Sequence, residues 1–483
     1  MTARKENCGI IGIASSEDVV HNIFCGLRVI QHRGQESAGI ATYNNQIECI
    51  TGMGLVHEAL PNDKRKSIKG NVGIGHVRYS TTGTSILKNA QPFVGRISNY
   101  EIAVAHNGDI INVGELKIAL EKKGIPLITE SDSELILKTI AVELVTNKNI
   151  HTALKNALKK FVGSFSLVVL INGRIYAIRD PYGIMPLCIG KNKNSYIVAS
   201  ESIVMDFLGA ELIRDVLPGE IIELHSTSFH AVHYKSVPHP AHCMFQWVYF
   251  ARPDSVIEGR LVYDVRYNIG KILAKEHPVS ADYVIPIPDS GRSFALGYSQ
   301  SSRIPLTEGL IKNRYIERTF IMPEQEQREL GVLLKINPIK NRIRDQRIII
   351  VDDSLVRGTT MRKIVDIVRK AGAKSVHVRI GCPPIIAPCY LGIDMKTRKQ
   401  LAAARYTIEE IRRQLNADSL GYISLEGLVK AIGLNKNDLC LGCLTGEYPV
   451  PIPGERLRFQ TLIDNRVNAE CEMRNAECLV HRA

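Results

Sequence analysis

The stretch that decides the fold of the second half spans residues 348–360 and reads IIIVDDSLVRGTT. Its four consecutive β-branched residues indicate a buried strand, and two adjacent carboxylates, Asp352 and Asp353, follow directly. A small turn that contains Gly358 then leads into a helix that we expect to begin near Thr360. Ligands of open parallel sheets bind beyond the carboxyl ends of the strands. This turn is therefore a candidate binding site.

The turn has the chemistry of a sugar-phosphate site. The free N–H groups of a helix N-terminus favour a phosphate, and the hydroxyls of Thr359 and Thr360 add donors. Asp352 and Asp353 can accept hydrogen bonds from sugar hydroxyls or hold Mg²⁺. On these residues alone, a helix cap without a ligand remains the alternative.

A second loop repeats this arrangement. Residues 285–297 read IPIPDSGRSFALG, in which a polar, glycine-containing loop again follows an apolar strand and opens a helix. Four consecutive residues could take a second phosphate group and a metal ion: Asp289, Ser290, Gly291 and Arg292. Two such loops predict a ligand with phosphates at two ends.

The composition restricts the class of protein. A chain of 483 residues is expected to hold two or three domains. Its net charge of +12 suits an anionic partner without choosing between phosphate esters and nucleic acid. Neither a membrane-spanning run nor a secretory signal is present, so a cytoplasmic protein is expected. For the eleven cysteines, catalytic or metal-binding roles are then favoured over disulfides.

The two halves of the chain differ in pattern. Short strands are predicted in the first half at 8–14, 71–77, 101–106 and 166–171, with a helix at 131–145. This pattern indicates an α+β domain of layered sheets and helices. Residues 225–242, rich in His and Ser, are interpreted as the linker region. Strands then alternate with helices, which predicts a parallel, doubly wound sheet.

These motifs resemble a known family. VDDSLVRGTT is similar to the phosphoribosyl pyrophosphate (PRPP) loop of type I phosphoribosyltransferases. The first half resembles an N-terminal-nucleophile glutaminase through CGIIGI, QHRGQESAGI, HVRYSTTG and HNGDI. In this order the two halves resemble the amidophosphoribosyltransferases, and CMFQWVYFARPDS, IPDSGRS, KNRYIERTFI and CLGCLTGEYP extend the likeness from Cys8 to about Pro453.

The resemblance implies a fold and an activity. It implies a propeptide (1–7), a class II glutamine amidotransferase domain of stacked β-sheets between helix layers (8–236), and an α/β phosphoribosyltransferase domain with a mostly parallel sheet (237–483). The implied enzyme makes 5-phosphoribosylamine from PRPP and glutamine, the first committed step of purine synthesis. Ammonia would pass inside the protein from one site to the other.

The resemblance also assigns roles in the glutaminase half. Cys8 would become the N-terminus, with its thiol as nucleophile and its α-amine as general base. Asn107 and Gly108 would form the oxyanion site. Arg78 would bind the glutamine carboxylate, and Asp132 would bind its ammonium group. Without the matched motifs, Arg78 and Asp132 would be interpreted as surface charges.

In the transferase half, the resemblance implies that Asp352 and Asp353 bind the ribose and, with Ser290, Mg²⁺. The 5-phosphate would be bound by Arg357, Gly358, Thr359 and Thr360, and the pyrophosphate side would be lined by Asp289, Ser290, Gly291 and Arg292. Lys312 and Arg314 begin a segment, 312–331, that resembles the loop closing over PRPP. Its Glu317 departs from the glycine that is common in the family.

The cysteines suggest a metal centre. Cys440 and Cys443 form a CxxC pair, which alone allows zinc, a redox pair or an iron–sulfur cluster. The resemblance to the cluster-bearing branch adds Cys243 and Cys389 and implies one [4Fe–4S] cluster. Cys382 competes with Cys389 on spacing alone.

The resemblance further implies a homodimer or homotetramer and feedback inhibition by purine nucleotides. A non-catalytic PRPP sensor that binds nucleic acid is one alternative, but it would not need Cys8, Asn107, Arg78 and Asp132. An amidotransferase of another pathway is a second alternative, which the PRPP loop disfavours. We expect neither nucleic acid nor membrane as a partner.

Overall fold

The computed structural model describes residues 8–79, 85–313, 336–395 and 397–452. Its strands are β1 Gly9–Ser15, β2 Ser37–Asn44, β3 Gln46–Met53, β4 Val72–Arg78, β5 Phe93–Ile97, β6 Tyr100–Ile110, β7 Gly163–Ile171, β8 Arg174–Arg179, β9 Cys188–Lys191, β10 Ser195–Ala199, β11 Glu211–Asp215, β12 Glu220–Leu224, β13 Phe229–His233, β14 His242–Cys243, β15 Val256–Ile257, β16 Arg260–Leu261, β17 Tyr283–Pro286, β18 Leu310–Lys312, β19 Ile336–Pro338, β20 Arg347–Asp352, β21 Ser375–Ile380, β22 Ser419–Tyr422 and β23 Leu439–Cys440. Its α-helices are α1 Val20–Val29, α2 Val56–Ala59, α3 Asn62–Lys66, α4 Val113–Glu121, α5 Asp132–Thr146, α6 Ile150–Leu158, α7 Ile203–Phe207, α8 Val262–Glu276, α9 Arg292–Ser302, α10 Lys340–Ile343, α11 Thr359–Lys370, α12 Ala402–Arg405, α13 Ile408–Leu415, α14 Leu425–Ile432 and α15 Gly442–Thr445.

Two antiparallel sheets stack face to face in the first half. Their strand orders are β11-β9-β10-β1-β4-β2-β3 and β13-β12-β8-β7-β6-β5. The alternation along β1 explains the layering, because successive side chains of a strand point to opposite faces. Ile11 and Ile13 pack in a core with α1, whereas Ile10 and Ala14 pack in the core between the sheets. Both faces of β1 are therefore buried.

Helices cover the outer faces of both sheets. Ile102 and Val104 of β6 share a core with Leu116 of α4, Ile136 of α5 and Leu154 of α6. On the other side, α1 and α7 cover the first sheet. The prediction of stacked sheets between helix layers is confirmed, and each predicted strand and the helix at 131–145 lie within a few residues of the observed elements.

The predicted linker is partly wrong. Within residues 225–242, the segment Phe229–His233 is strand β13, which pairs antiparallel with β12 at the edge of the second sheet. An edge strand has one partner and tolerates polar residues, so the His- and Ser-rich composition concealed it.

The second half contains the predicted parallel sheet, in the order β17-β20-β21-β22. On the other side of β17, Val284 forms a parallel bridge with Leu306. The chain therefore leaves β17 through α9 to one side and returns to its other side as β20. The strand order reverses between β17 and β20, which is where doubly wound sheets bind ligands.

No helix within the described ranges is long and apolar enough to cross a lipid bilayer.

Two candidate active sites

Cys8 lies at the start of β1, beside the end of β4. Its Sγ is 3.5 Å from the carbonyl oxygen of Tyr79, and its own carbonyl accepts a 3.0 Å hydrogen bond from Nε of Arg33. Burial raises the pKa of the Cys8 thiol to about 11, against the lowering effects of the Tyr79 hydrogen bond and of Arg78. The thiol is therefore protonated at neutral pH and needs a base to become a nucleophile.

Arg33 anchors Cys8 to the rest of the protein. This fully buried guanidinium donates to Glu201 Oε1 at 2.6 Å and to Gln246 Oε1 at 3.1 Å. Glu201 in turn accepts hydrogen bonds from the backbone N–H of Arg252 and the hydroxyl of Ser255. The position of the thiol is thus tied to the segment that enters the second half.

Two buried charges of opposite sign lie near Cys8. Arg78 and Asp132, each at most 5% exposed, both act electrostatically on the thiol. Burial alone would raise the pKa of Asp132, but His106 and the backbone N–H of Ile110 lower it below its ordinary value. The carboxylate is therefore ionised. A cationic and an anionic group beside a thiol suit an amino-acid substrate, which carries both charges.

Asn107 and Gly108 lie near the C-terminal end of β6. The Asn107 side chain is fully buried, and neither its nitrogen nor its oxygen has a hydrogen-bond partner among the residues that the structure describes. Buried amides are normally satisfied, so this one is poised for a ligand. Gly108 has φ +150°, and a Cβ there would collide with the carbonyl oxygen of Ser164. Glycine is therefore required at this position.

His76 connects the strand of Arg78 to β6. Burial lowers its pKa to about 3, so the ring is neutral, and its Nε2–H donates to the carbonyl of His106 at 3.0 Å. This hydrogen bond joins the two sheets at the residue that precedes Asn107.

The opening motif lines a pocket of about 180 Å³ at the end of β20. Five of the predicted ligand-binding residues line it: Asp352, Arg357, Gly358, Thr359 and Thr360. Helix α11 begins at Thr359 with Gly358 as its N-cap, one residue before the predicted start. The wall of the pocket also includes Phe245, Tyr249 and Phe250, three of the four aromatic residues of CMFQWVYF.

The second predicted loop adjoins this pocket. A Cβ on Gly291 would lie 2.5 Å from the carbonyl oxygen of Val351, so the loop packs closely on the end of β20. Asp289 Oδ2 forms a 3.0 Å ion pair with Nζ of Lys312, and Asp289 Oδ1 lies 3.7 Å from Nε of Arg292. Ser290 is half-buried beside them. The loop thus joins the predicted pyrophosphate-side residues to Lys312, whereas Arg314 lies outside the described residues.

The two carboxylates of the motif have different environments. Asp352 lines the pocket, whereas Asp353 is fully buried, accepts a hydrogen bond from Ser354 and acts electrostatically on Arg266. Arg266 is a buried cation that donates to the carbonyls of Trp247 and Ala251. Asp353 is therefore enclosed by protein at the strand end, whereas Asp352 faces the pocket.

The four predicted cluster cysteines lie close enough to act on one another electrostatically. The parallel pairing of β14 with β23 puts Cys243 opposite Cys440. Burial raises the pKa of Cys443 well above its ordinary value, and Cys389, Cys382, Cys243 and Cys440 raise it further. None of the nine cysteines in the described ranges forms a disulfide. The set provides soft sulfur donors, which suit an iron–sulfur cluster.

The spacing of these thiols is not that of a single-ion site. In the part of the chain that the structure describes, no group of three or more His, Cys, Asp or Glu side chains is arranged to hold one metal ion.

Several residues at these sites were not singled out from the sequence. Oε2 of Glu36 lies 4.0 Å from Nη1 of Arg78, and Nδ1 of His106 lies 3.6 Å from Oδ2 of Asp132. Both belong to the quoted motifs QHRGQESAGI and HNGDI, which was the available signal. No sequence signal indicated Arg266, because a single Arg in a helical pattern is usually a surface residue.

Comparisons with known proteins identify both halves. The family of the glutamine amidotransferase domain matches residues 76–206, and that of the phosphoribosyl transferase domain matches residues 259–382. These ranges include Arg78, Asn107, Asp132, Asp289 and Asp352. The two domain families therefore cover parts of both candidate sites.

Several known proteins are similar to this chain over nearly its whole length. The amidophosphoribosyltransferase of Methanothermobacter thermautotrophicus is 51% identical over 95% of this chain and 98% of the relative. That of Methanocaldococcus jannaschii is 51% identical over 93% and 99%. Among solved structures, the glutamine PRPP amidotransferase from B. subtilis, complexed with ADP and GMP, has a TM-score of 0.87 at 39% identity and covers 92% of this chain and 98% of that one.

Proposed function

This chain belongs to the amidophosphoribosyltransferase family, the enzymes of the first step of purine biosynthesis, and we propose that it uses Cys8 to hydrolyse glutamine and Asp352 with its neighbours to aminate PRPP. The domains would divide at residues 236 and 237, behind a propeptide of residues 1–7. The observation that carries the proposal is that one chain unites two features: the buried Asn107 amide, which has no hydrogen-bond partner within the described ranges, and the Asp352 pocket at the end of β20.

In the glutaminase reaction, the Cys8 sulfur attacks the side-chain amide carbon of glutamine. The α-amine of Cys8, with an ordinary pKa of ~7.7–8.0, takes the thiol proton and transfers it to the departing ammonia. The negative charge on the former carbonyl oxygen is stabilised by the Asn107 side chain and the Gly108 N–H. Water then hydrolyses the thioester to glutamate. The thiol pKa of about 11 is the physical reason that a base is needed.

The substrate is oriented by the two buried charges. Arg78 pairs with the glutamine carboxylate and Asp132 with the ammonium group. The Asp132 carboxylate stays ionised inside the protein, because His106 and the N–H of Ile110 keep its pKa low despite its burial.

In the transferase reaction, ammonia attacks C1 of the ribose of PRPP, and pyrophosphate departs. The N-terminus of α11, with Arg357, Thr359 and Thr360, binds the 5-phosphate. Asp352 and Asp353 bind the ribose hydroxyls, and the pyrophosphate side is bound by Asp289, Ser290, Gly291, Arg292, Lys312 and Arg314. Ammonia reaches the pocket inside the protein.

Mg²⁺ is the cofactor that this donor set favours. The oxygen atoms of Asp352, Asp353 and Ser290 are hard ligands, and Asp352 lies in the pocket itself. When bound, the ion supplies positive charge for the departing pyrophosphate. Purine nucleotides are proposed as feedback inhibitors, since the similar B. subtilis structure is complexed with ADP and GMP. A dimer or tetramer remains a prediction.

One assay tests the whole proposal. Purified enzyme supplied with glutamine, PRPP and Mg²⁺ should form glutamate, pyrophosphate and 5-phosphoribosylamine in equal amounts. With ammonium salt in place of glutamine, only pyrophosphate and 5-phosphoribosylamine should form. Absence of product with both nitrogen sources would contradict the transferase assignment.

The mature chain is expected to begin at Cys8, because the α-amine can serve as base only when residues 1–7 are removed. Intact-mass measurement of active enzyme should show the loss of MTARKEN. A gene that encodes Met directly before Cys8 should give equal activity after removal of that Met. Full glutaminase activity in a chain that retains residues 1–7 would disprove the role of the amine.

Cys243, Cys389, Cys440 and Cys443 are expected to hold one [4Fe–4S] cluster with a structural role. It would join the start of the transferase half to its C-terminal part, so cluster binding would add to the free energy of folding. Anaerobically purified protein should be brown, with about four irons per chain. Oxygen should remove iron and unfold the protein together, which absorbance and circular dichroism can follow in parallel.

Cys382 provides the matched control for the cluster ligands. It is also buried and helps to raise the pKa of the Cys443 thiol, but it is not a proposed ligand. Cys389→Ser should lose iron, and Cys382→Ser should retain it. The reverse result would show that Cys382, and not Cys389, is the fourth ligand. Active, iron-free protein with one zinc per chain would refute the cluster.

A further inference from the structure

A segment of the transferase half packs against the oxyanion strand of the glutaminase half. The Ser164 hydroxyl donates a 2.9 Å hydrogen bond to the carbonyl of Leu391, although the two residues are 227 positions apart. The same hydroxyl accepts a 3.3 Å hydrogen bond from the N–H of Asp109. Ser164 therefore connects Leu391 to the residue that follows Gly108.

Gly392 contacts Gly108 directly. A Cβ at Gly392 would lie 3.3 Å from the Gly108 Cα, 3.4 Å from the Gly108 carbonyl carbon and 2.8 Å from Cε of Met185. The backbone of Gly392, with φ +102°, is in a conformation that L side chains rarely adopt. The backbone conformation therefore favours glycine, and a methyl group at this position would need Met185 and the Gly108 backbone to shift slightly.

The segment is itself held in place. The Leu391 N–H donates to Sγ of Cys389 at 3.4 Å, and the Cys389 N–H donates to the carbonyl of Met395 at 2.9 Å. Strand β7 pairs with β6 in the register Gly108↔Phe165 and Asp109↔Ser164. Gly108 therefore lies next to both its sheet neighbour and Gly392.

We propose that Leu391 and Gly392 position the oxyanion site, so that a part of the transferase half sets the rate of glutamine hydrolysis. This inference rests on the proposed role of Asn107 and Gly108. An oxyanion donor acts only when it points at the charge that develops in the transition state. A displacement of Gly108 by a few tenths of an ångström then lowers turnover more than glutamine binding.

Two substitutions test this. Gly392→Ala presses a methyl group onto Gly108, and Ser164→Ala removes the link from Asp109 to Leu391. Each should lower the kcat of glutamine hydrolysis by roughly tenfold, below the 10²–10³-fold loss for a removed donor, with KM for glutamine within about twofold. Synthesis with ammonium salt should be unchanged.

Alkylation of Cys8 by iodoacetamide separates this role from general damage. That reaction displaces iodide at a saturated carbon and forms no oxyanion, so its rate, followed by mass spectrometry of the Cys8 peptide, should be unchanged in both variants. Equal losses with glutamine and ammonia, or a parallel loss of alkylation, would overturn the proposal. So would full glutaminase activity in both variants.

Each variant has a matched control in the transferase half. Gly433 also has a positive φ, +73°, with no atom within 4 Å of the Cβ position, so Gly433→Ala introduces backbone strain without the contact. Ser299 donates to the carbonyl of Ile304 at 2.6 Å, so Ser299→Ala removes a similar hydrogen bond elsewhere. Both controls should keep the wild-type ratio of glutamine- to ammonia-dependent activity. Glutaminase activity that survives Cys8→Ala would instead refute the proposed function itself.

Discussion

Replacing Cys8 with alanine is expected to abolish glutamine-dependent synthesis while leaving ammonia-dependent synthesis intact. Without a nucleophile, no thioester forms, and the loss should be roughly 10⁴-fold or more. The transferase pocket lies at the end of β20, in a different sheet from Cys8, so it should continue to use free ammonia. Pyrophosphate release measured with each nitrogen source gives the two rates.

Cys188 is the control for this substitution. It is also a buried cysteine in the first sheet, and its thiol donates to a carbonyl, that of Ala199, at 3.3 Å. Cys188→Ala therefore removes a similar volume and a similar hydrogen bond without touching the nucleophile. It should leave both rates near wild type. If Cys8→Ala also lost ammonia-dependent synthesis while Cys188→Ala did not, the two reactions could not be assigned to separate sites.

The sequence predicted the transferase pocket well because its signals are local. A run of β-branched residues followed by acids and a glycine turn predicts a strand, a loop and a helix within 13 residues, and β20 and α11 lie there. The alternation of strands and helices predicted the parallel sheet. The reversal of strand order between β17 and β20 depends on the pairing of Val284 with Leu306, which no local pattern indicates.

Long-range polar contacts account for what the sequence did not predict. Arg266 donates to two carbonyls within the structure and lies near Asp353, yet its helix pattern is that of a surface residue. Ser164 and Leu391 are joined only in the folded chain. Strand β13 was also not predicted, because its place at a sheet edge is set by backbone pairing with β12 and not by its own apolar content.

Replacing Asp352 with asparagine is expected to lower synthesis with glutamine and with ammonia equally, by roughly 10²-fold. The carboxylate lines the pocket, and a lost contact to a metal or ribose costs several kcal/mol, where 1.4 kcal/mol is about tenfold. The fold should survive, since Asn has nearly the same shape as Asp. Thermal unfolding and the Mg²⁺ dependence of pyrophosphate release, measured together, would separate folding from binding.

Asp353→Asn should show a second effect that Asp352→Asn lacks. Asp353 is fully buried, bonded to Ser354 and close to the buried Arg266, so the loss of its charge should also lower the free energy of unfolding by about 1–3 kcal/mol. Asp366, on α11 outside the pocket, provides the control, and Asp366→Asn should change neither activity nor stability. If both Asp352→Asn and Asp353→Asn turned over PRPP like wild type, the acidic pair would be a helix cap alone, and the pocket would have to bind its ligand through Arg357, Thr359 and Thr360.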